Sequence, residues 1–92
     1  MSEEERQKNY YNCFLDLRRS AVAFYLNPGG STHRIFLTHA KKILSGINSD
    51  KAKKFMEMIS SLEDKFSNIT MEKTEKVNLA DKILTTGILM LE

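Results

Sequence analysis

The residues of this chain that could carry out chemistry are few: two histidines, one cysteine and scattered carboxylates. His33 and His39 are six residues apart, so on one helix they lie about 120° apart and cannot hold a metal together. Each borders apolar positions, which favours a structural histidine at the edge of a core. Because no cysteine or carboxylate set has the spacing of metal ligands, we expect neither a metal nor a cofactor.

A short segment, His39-Ala40-Lys41-Lys42, resembles the phosphoacceptor segment of histidine phosphotransfer domains, which are also helical bundles. The chain departs from that family at Ile43 and Leu44, where small Gly and Ser residues are usual, and the family's domains are generally longer. The resemblance implies phosphotransfer through His39, which we keep as the third functional hypothesis.

Cys13 lies at the edge of the first apolar helix face, and no base or cation shares its own helical turn. A thiol without such neighbours is not activated as a nucleophile, so packing explains Cys13 better than catalysis does. We predict no catalytic residue and expect that the protein is not an enzyme.

Length and composition indicate one globular domain that spans residues 1–92. The chain is 41% hydrophobic and 28% charged, which is typical of a folded protein in water. Its apolar stretches are far shorter than the roughly 20 residues of a membrane span, so no membrane partner is expected. The single cysteine and an acidic N-terminus without a signal pattern favour the cytoplasm.

Apolar periodicity and turn residues divide the chain into four helices. The first begins at the N-cap Ser2 and ends before Asn27-Pro28-Gly29-Gly30, and a second helix starts at Ser31 or Thr32 and stops near Gly46. The first helix has an inner apolar row, Tyr10, Phe14, Leu17, Ala21 and Phe24, and a second row, Tyr11, Leu15, Val22 and Leu26, which together predict a broad buried face. The second helix is predicted to bury Phe36, Ala40, Ile43 and Ile47, flanked by Leu37 and Leu44.

The last two helices differ in how clearly their faces are marked. The third carries a heptad pattern of Ala52, Phe55, Ile59, Leu62, Phe66 and Ile69, which is interrupted at residues 67–70. Residues 71–76 are expected to fray or form a loop before the fourth helix, whose predicted inner face is Val77, Ala80, Leu84, Gly87 and Leu91. Short connections predict an all-α, antiparallel, up-down-up-down four-helix bundle. The alternative is a three-helix core with a peripheral or dimerising fourth helix.

Three groups of residues are candidates for binding. Arg18 falls inside the predicted apolar arc between Tyr11 and Tyr25. It is therefore predicted either to stack on these tyrosines with an acidic partner from another helix or to anchor a partner-binding surface. In the last helix, surplus apolar residues predict either a protein interface or a wide core; they are Leu79, Ile83, Leu89 and Met90.

The third group is a lysine-rich corner between the second and third helices: Lys41, Lys42, Lys51, Lys53 and Lys54. It favours a solvated helix end, or else weakly specific binding to a nucleic-acid backbone.

The leading hypothesis is a non-enzymatic interaction module that self-associates or docks a protein partner through the C-terminal helix. Nucleic-acid binding is the alternative.

Overall fold

The computed structural model describes residues 2–66 and 72–92, and these residues form four α-helices. The helices are α1 (Glu3–Leu26), α2 (Thr32–Ser45), α3 (Asp50–Phe66) and α4 (Lys73–Leu91). The described residues contain no strand, so the all-α prediction is confirmed. None of these four helices combines the length and hydropathy that crossing a membrane requires.

Most of the helix ends lie where the turn residues place them. The Ser2 hydroxyl accepts a hydrogen bond from the Glu5 amide at 3.2 Å, which satisfies one free N–H at the start of α1. Gly46 is the C-cap of α2, and the Ser49 hydroxyl accepts from the Ala52 amide at the start of α3. The loop predicted for residues 71–76 is wrong from Lys73 onward, where α4 has begun. The predicted interruption at 67–70, with Ile69, lies outside the described residues.

Side-chain contacts give the direction of each helix. Along α1, Cys13 contacts Ala40 and Ser20 contacts His33, so α2 runs antiparallel to α1. Lys41 pairs with Glu63 of α3 while Arg34 donates to the Phe66 carbonyl oxygen, so α3 runs antiparallel to α2. With α4 between α3 and α1, the helices form a ring in chain order, and the up-down-up-down bundle is confirmed.

The predicted inner face of α3 is correct at every described position. All five apolar heptad residues are buried: Ala52, Phe55, Ile59, Leu62 and Phe66. The positions between them are mainly polar, so a single rotation of this helix buries apolar surface without burying charge. The α2 face agrees in part, since Leu37, Ala40, Leu44 and Ile47 are buried while Phe36 and Ile43 are half-buried.

The buried face of α1 is rotated from the predicted one. Its inner row is in the core, with Phe14 half-buried, but three of the four residues of the second row are exposed and Leu15 is half-buried. Cys13, Asp16 and Ser20 are buried instead. These groups are hydrogen-bonded to α2, which allows polar side chains to enter the interface at low cost.

The α4 face is likewise rotated. The buried residues are Leu79, Ala80, Ile83, Thr86, Gly87 and Met90, whereas Val77 and Leu91 of the predicted inner face are exposed. Leu79, Ile83 and Met90 therefore belong to the core, as the wide-core alternative predicted, and they are not part of a binding surface. Of the four surplus residues, Leu89 alone is exposed. The fourth helix is integral to the core, and the alternative of a peripheral helix is not observed.

Gly87 lies where α4 packs closely against α1. A methyl group built at Gly87 would lie 3.0 Å from the Phe14 ring and 3.5 Å from the Leu17 Cβ atom. Glycine lowers helix propensity, but here it allows two helices to pack without a side chain between them. The contact also fixes the axial position of α4 relative to α1.

We predict that Gly87→Leu destabilises the protein by about 1–3 kcal/mol, because the added side chain must push α1 and α4 apart. Urea unfolding measures the change. Gly29→Leu is the matched control, since nothing lies within 4 Å of a methyl group at Gly29. Equal stability of the two variants would contradict close packing at Gly87.

Candidate functional site

A buried carboxylate holds an exposed histidine at the boundary between α1 and α2. Asp16 Oδ2 lies 2.5 Å from His39 Nδ1, and the Asp16 side chain is 5% exposed while that of His39 is 59% exposed. Arg19 Nη1 is 3.7 Å from the other carboxylate oxygen. A carboxylate bound to Nδ1 favours the tautomer that leaves Nε2 unprotonated. His39 therefore presents an oriented nitrogen to solvent, a geometry that no sequence pattern revealed.

The cysteine beside this pair cannot act as its nucleophile. Cys13 is buried, and its Sγ atom donates a hydrogen bond to the Ala40 carbonyl oxygen at 3.5 Å. Burial raises the pKa of the Cys13 thiol to about 12, and the Asp16 carboxylate contributes to the rise. Because the thiolate is the reactive form, Cys13 is a packing residue.

His33, the other histidine, lies inside an aromatic cluster near the N-terminus of α2. The ring centroid of His33 is 5.3 Å from that of Phe24 and 4.5 Å from that of Phe66. Its Nδ1 atom has no hydrogen-bond partner in the described structure. Burial lowers the pKa of His33, and the nearby Arg34 lowers it further. A neutral, buried His33 has a structural role.

We predict that His33 makes the protein less stable at acidic pH. Its pKa is lower in the folded chain than the ordinary value of 6.5, so between these two values the unfolded chain binds more protons. The free energy of unfolding must then fall as pH drops below about 6.5. His33→Phe should flatten this decline, measured by urea unfolding between about pH 7 and about pH 5.5.

His39→Gln is the control for this effect, because it removes an exposed histidine and keeps His33. If His39→Gln flattens the decline and His33→Phe leaves it unchanged, the assignment to His33 is wrong.

The exposed side of α1 carries a regular stripe of large residues. Tyr11, Leu15, Arg18, Val22 and Tyr25 follow one another at intervals of four, three, four and three, the spacing of a heptad seam. We call this stripe the outer seam of α1. Tyr11, Val22 and Tyr25 are about half exposed or more, and Leu15 is half-buried. Arg18 is exposed, and its side chain has no ion pair, hydrogen bond or ring contact within the described residues.

The role predicted for Arg18 inside the monomer is not observed among the described residues, because Arg18 does not stack on Tyr11 or Tyr25 and has no acidic partner there. The structure does place Arg18 on the same exposed stripe as both tyrosines. Its role in binding a partner stays a prediction.

A second stripe of the same spacing runs along the exposed side of α4. Its members, which we call the outer seam of α4, are Val77, Asp81, Leu84, Ile88 and Leu91. A groove between the two helices is lined by residues of both seams, including Val22, Tyr25, Val77, Asp81 and Leu84. The two seams therefore border one continuous surface, the α1–α4 face. Sequence reasoning missed the α4 seam because it assigned most of its apolar members to the core.

Leu89 lies away from this face, in a groove between α3 and α4 that also includes Met58, Leu62 and Thr85. Two lysines, Lys65 and Lys82, line the same groove. A side-chain hydrogen bond with Lys82 and the repulsion of its charge lower the pKa of Lys65. Among the described residues, α3 and α4 form the least extensive contact of the ring.

The lysine-rich corner is partly occupied by contacts within the protein. Lys41 Nζ is 3.4 Å from a Glu63 carboxylate oxygen, and Lys51 Nζ lies 5.1 Å from the centroid of the Tyr10 ring. Lys42, Lys53 and Lys54 are exposed. Nucleic-acid binding by this corner stays a prediction.

Comparison with protein-family models, with curated proteins and with solved structures yields no significant match. Within the described residues, no group of three or more His, Cys, Asp or Glu side chains could hold a metal ion.

Proposed function

We propose that this protein is a non-enzymatic helical module that binds a protein partner through its α1–α4 face. Three predicted contact residues remain in the proposed site, Arg18, Tyr11 and Tyr25. The α4 contribution changes from the buried residues to the outer seam of that helix. The lone, buried Cys13, a free thiol, supports the cytoplasm as its location.

One observation carries the proposal: the exposed apolar surface is concentrated on two of the four helices. Four large exposed hydrophobic residues are on α1 (Tyr11, Val22, Tyr25 and Leu26), four are on α4 (Val77, Ile88, Leu89 and Leu91), and α2 has Ile35. The described part of α3 has none. Single exposed hydrophobic residues are ordinary, but a contiguous patch on a small protein is typical of an interaction site.

The chemistry of the face also favours binding. Tyrosine and arginine are enriched at the centres of protein interfaces, because each combines a large contact area with a hydrogen-bonding group. Arg18 lies midway between Tyr11 and Tyr25 and is not committed to any partner among the described residues. A binding partner could therefore engage all three without breaking an existing ion pair.

Photo-crosslinking in cells that produce the full chain tests this function. We expect a photoreactive benzoylphenylalanine at Tyr25 to give a light-dependent protein adduct, because Tyr25 is 58% exposed within the proposed site. The same residue at Lys54, which is exposed on α3, is the matched control and should give none. Val22→Asp should abolish the Tyr25 adduct, since a charge in the seam disfavours apolar docking.

Circular dichroism establishes that each variant remains helical. Absence of an adduct from Tyr11, Tyr25 and Ile88 alike would rule out the proposed binding face.

A second candidate function, phosphotransfer through His39, is favoured by the Asp16–His39 hydrogen bond. With Nδ1 bound to Asp16, the lone pair of Nε2 is available to attack a phosphorus atom. In the reaction with acetyl phosphate, the Nε2–P bond forms, the bond from phosphorus to the acetyl oxygen breaks, and acetate leaves. The Nδ1 proton stays shared with Asp16, which stabilises the phosphorylated ring.

Incubation with acetyl phosphate at neutral pH, followed by mass spectrometry, tests this candidate. This candidate predicts one phosphoryl group on the wild type and on His33→Phe, less on Asp16→Asn, and none on His39→Gln. Failure to label His39 under conditions that label a histidine phosphotransfer domain would exclude the candidate.

A further inference from the structure

We infer that the partner bound by the α1–α4 face is a second copy of this chain, in a two-fold dimer that packs α1 of each copy against α4 of the other. This inference rests on the proposed function and specifies its partner. It follows from three properties of the outer seams: their matching lengths, their matching heights along the bundle and their opposite charges.

The two seams have the same pattern. Each consists of five positions at intervals of four, three, four and three residues, and each is mainly apolar with one charged residue. Helices whose apolar residues repeat in this way pack along the seam, with the side chains of one helix between those of the other. Within one copy the seams lie side by side and face outward, so neither can cover the other.

The packing inside the monomer aligns the seams in height. A methyl group at Gly87 would meet Phe14 and Leu17, so position 87 of α4 is level with positions 15–16 of antiparallel α1. Counting outward from this contact places Leu91 level with Tyr11, Leu84 level with Arg18, and Val77 level with Tyr25. The shared groove, which Tyr25 and Val77 both line, agrees with this register.

A two-fold axis parallel to the bundle preserves these heights. It brings α1 opposite α4 of the second copy and, by symmetry, α4 opposite α1 of the second copy. Each of the five positions in the α1 seam of one copy then faces the position at the same height in the α4 seam of the other copy. Because the dimer is symmetric, this contact occurs twice. Such an interface is self-complementary, as a two-fold dimer requires.

The charges supply the argument for a second copy rather than an unrelated helix. Arg18 is in the middle of the α1 seam, and Asp81 is within one helical turn of its height in the α4 seam. Both are exposed, and within the described residues neither side chain has a hydrogen bond or ion pair. In the dimer each Arg18 lies within about one helical turn of the other copy's Asp81, a distance that the long arginine side chain can span, so the two seams are complementary in charge. A charged residue within an apolar seam also fixes its register.

Sedimentation velocity of the purified full chain over a range of concentrations tests the dimer. We expect a reversible monomer–dimer equilibrium in which Arg18→Asp or Asp81→Arg alone raises the dissociation constant by about tenfold or more, because each change places like charges together twice. Lys54→Asp and Asp64→Arg are the matched controls. They make comparable charge changes on α3 and should leave the dissociation constant unchanged.

Mixing the two single variants, Arg18→Asp and Asp81→Arg, gives the decisive measurement. In a mixed dimer, one contact pairs the carboxylate introduced at position 18 with the guanidinium introduced at position 81, and the other contact pairs the native Arg18 with the native Asp81. The equimolar mixture should therefore dimerise with a dissociation constant within about threefold of the wild type, although each variant alone is mainly monomeric.

A monomer at every concentration would overturn the inference, and so would a dimer that neither charge change weakens. The mass of the Tyr25 photo-adduct separates this inference from the proposed function. An adduct with the mass of two chains supports the dimer. An adduct with a different protein overturns the dimer and keeps the binding face, whereas absence of an adduct from Tyr11, Tyr25 and Ile88 alike overturns both.

Discussion

Asp16 fixes the rotation of α1, on which the arrangement of the other three helices depends. A carboxylate can be buried only where it has hydrogen-bonding or charged partners, and no other carboxylate of the described chain is buried. Its partner His39 is on α2, so the requirement also fixes the position of α2 along α1. Cys13 and Ser20, which donate to α2 carbonyl groups, lie on the same side. The apolar residues opposite them are left facing solvent.

This rotation explains why one helix was predictable and another was not. On α3, apolar residues occupy one stripe and polar residues most of the rest, so hydropathy alone identifies the buried face. On α1, two apolar rows compete, and the choice depends on whether a neighbouring helix offers acceptors to Cys13 and Ser20 and a donor to Asp16. That information is in α2, in a separate segment of the chain, and periodicity within α1 cannot supply it.

The α4 helix shows a different limit. Leu79, Ile83 and Met90 form one apolar stripe, and Val77, Leu84 and Leu91 form another, so the helix is apolar on more than one side. Hydropathy identifies the surplus but cannot say which stripe is inside. Gly87 is the better indicator, because the missing side chain marks where α1 must approach. The same approach sets the register of the outer seams, so the core packing determines the geometry of the proposed binding face.

The weak contact between α3 and α4 has a consequence for the motions of the bundle. These helices share the least extensive interface in the described ring, and Lys65 and Lys82 repel each other across it. Local opening follows the paths that break the fewest apolar contacts. The amide protons of α3 should therefore exchange with solvent before those in the middle of α1, which is held on both sides by α2 and α4. In this bundle, the helix whose buried face is easiest to recognise in the sequence is the one expected to separate first.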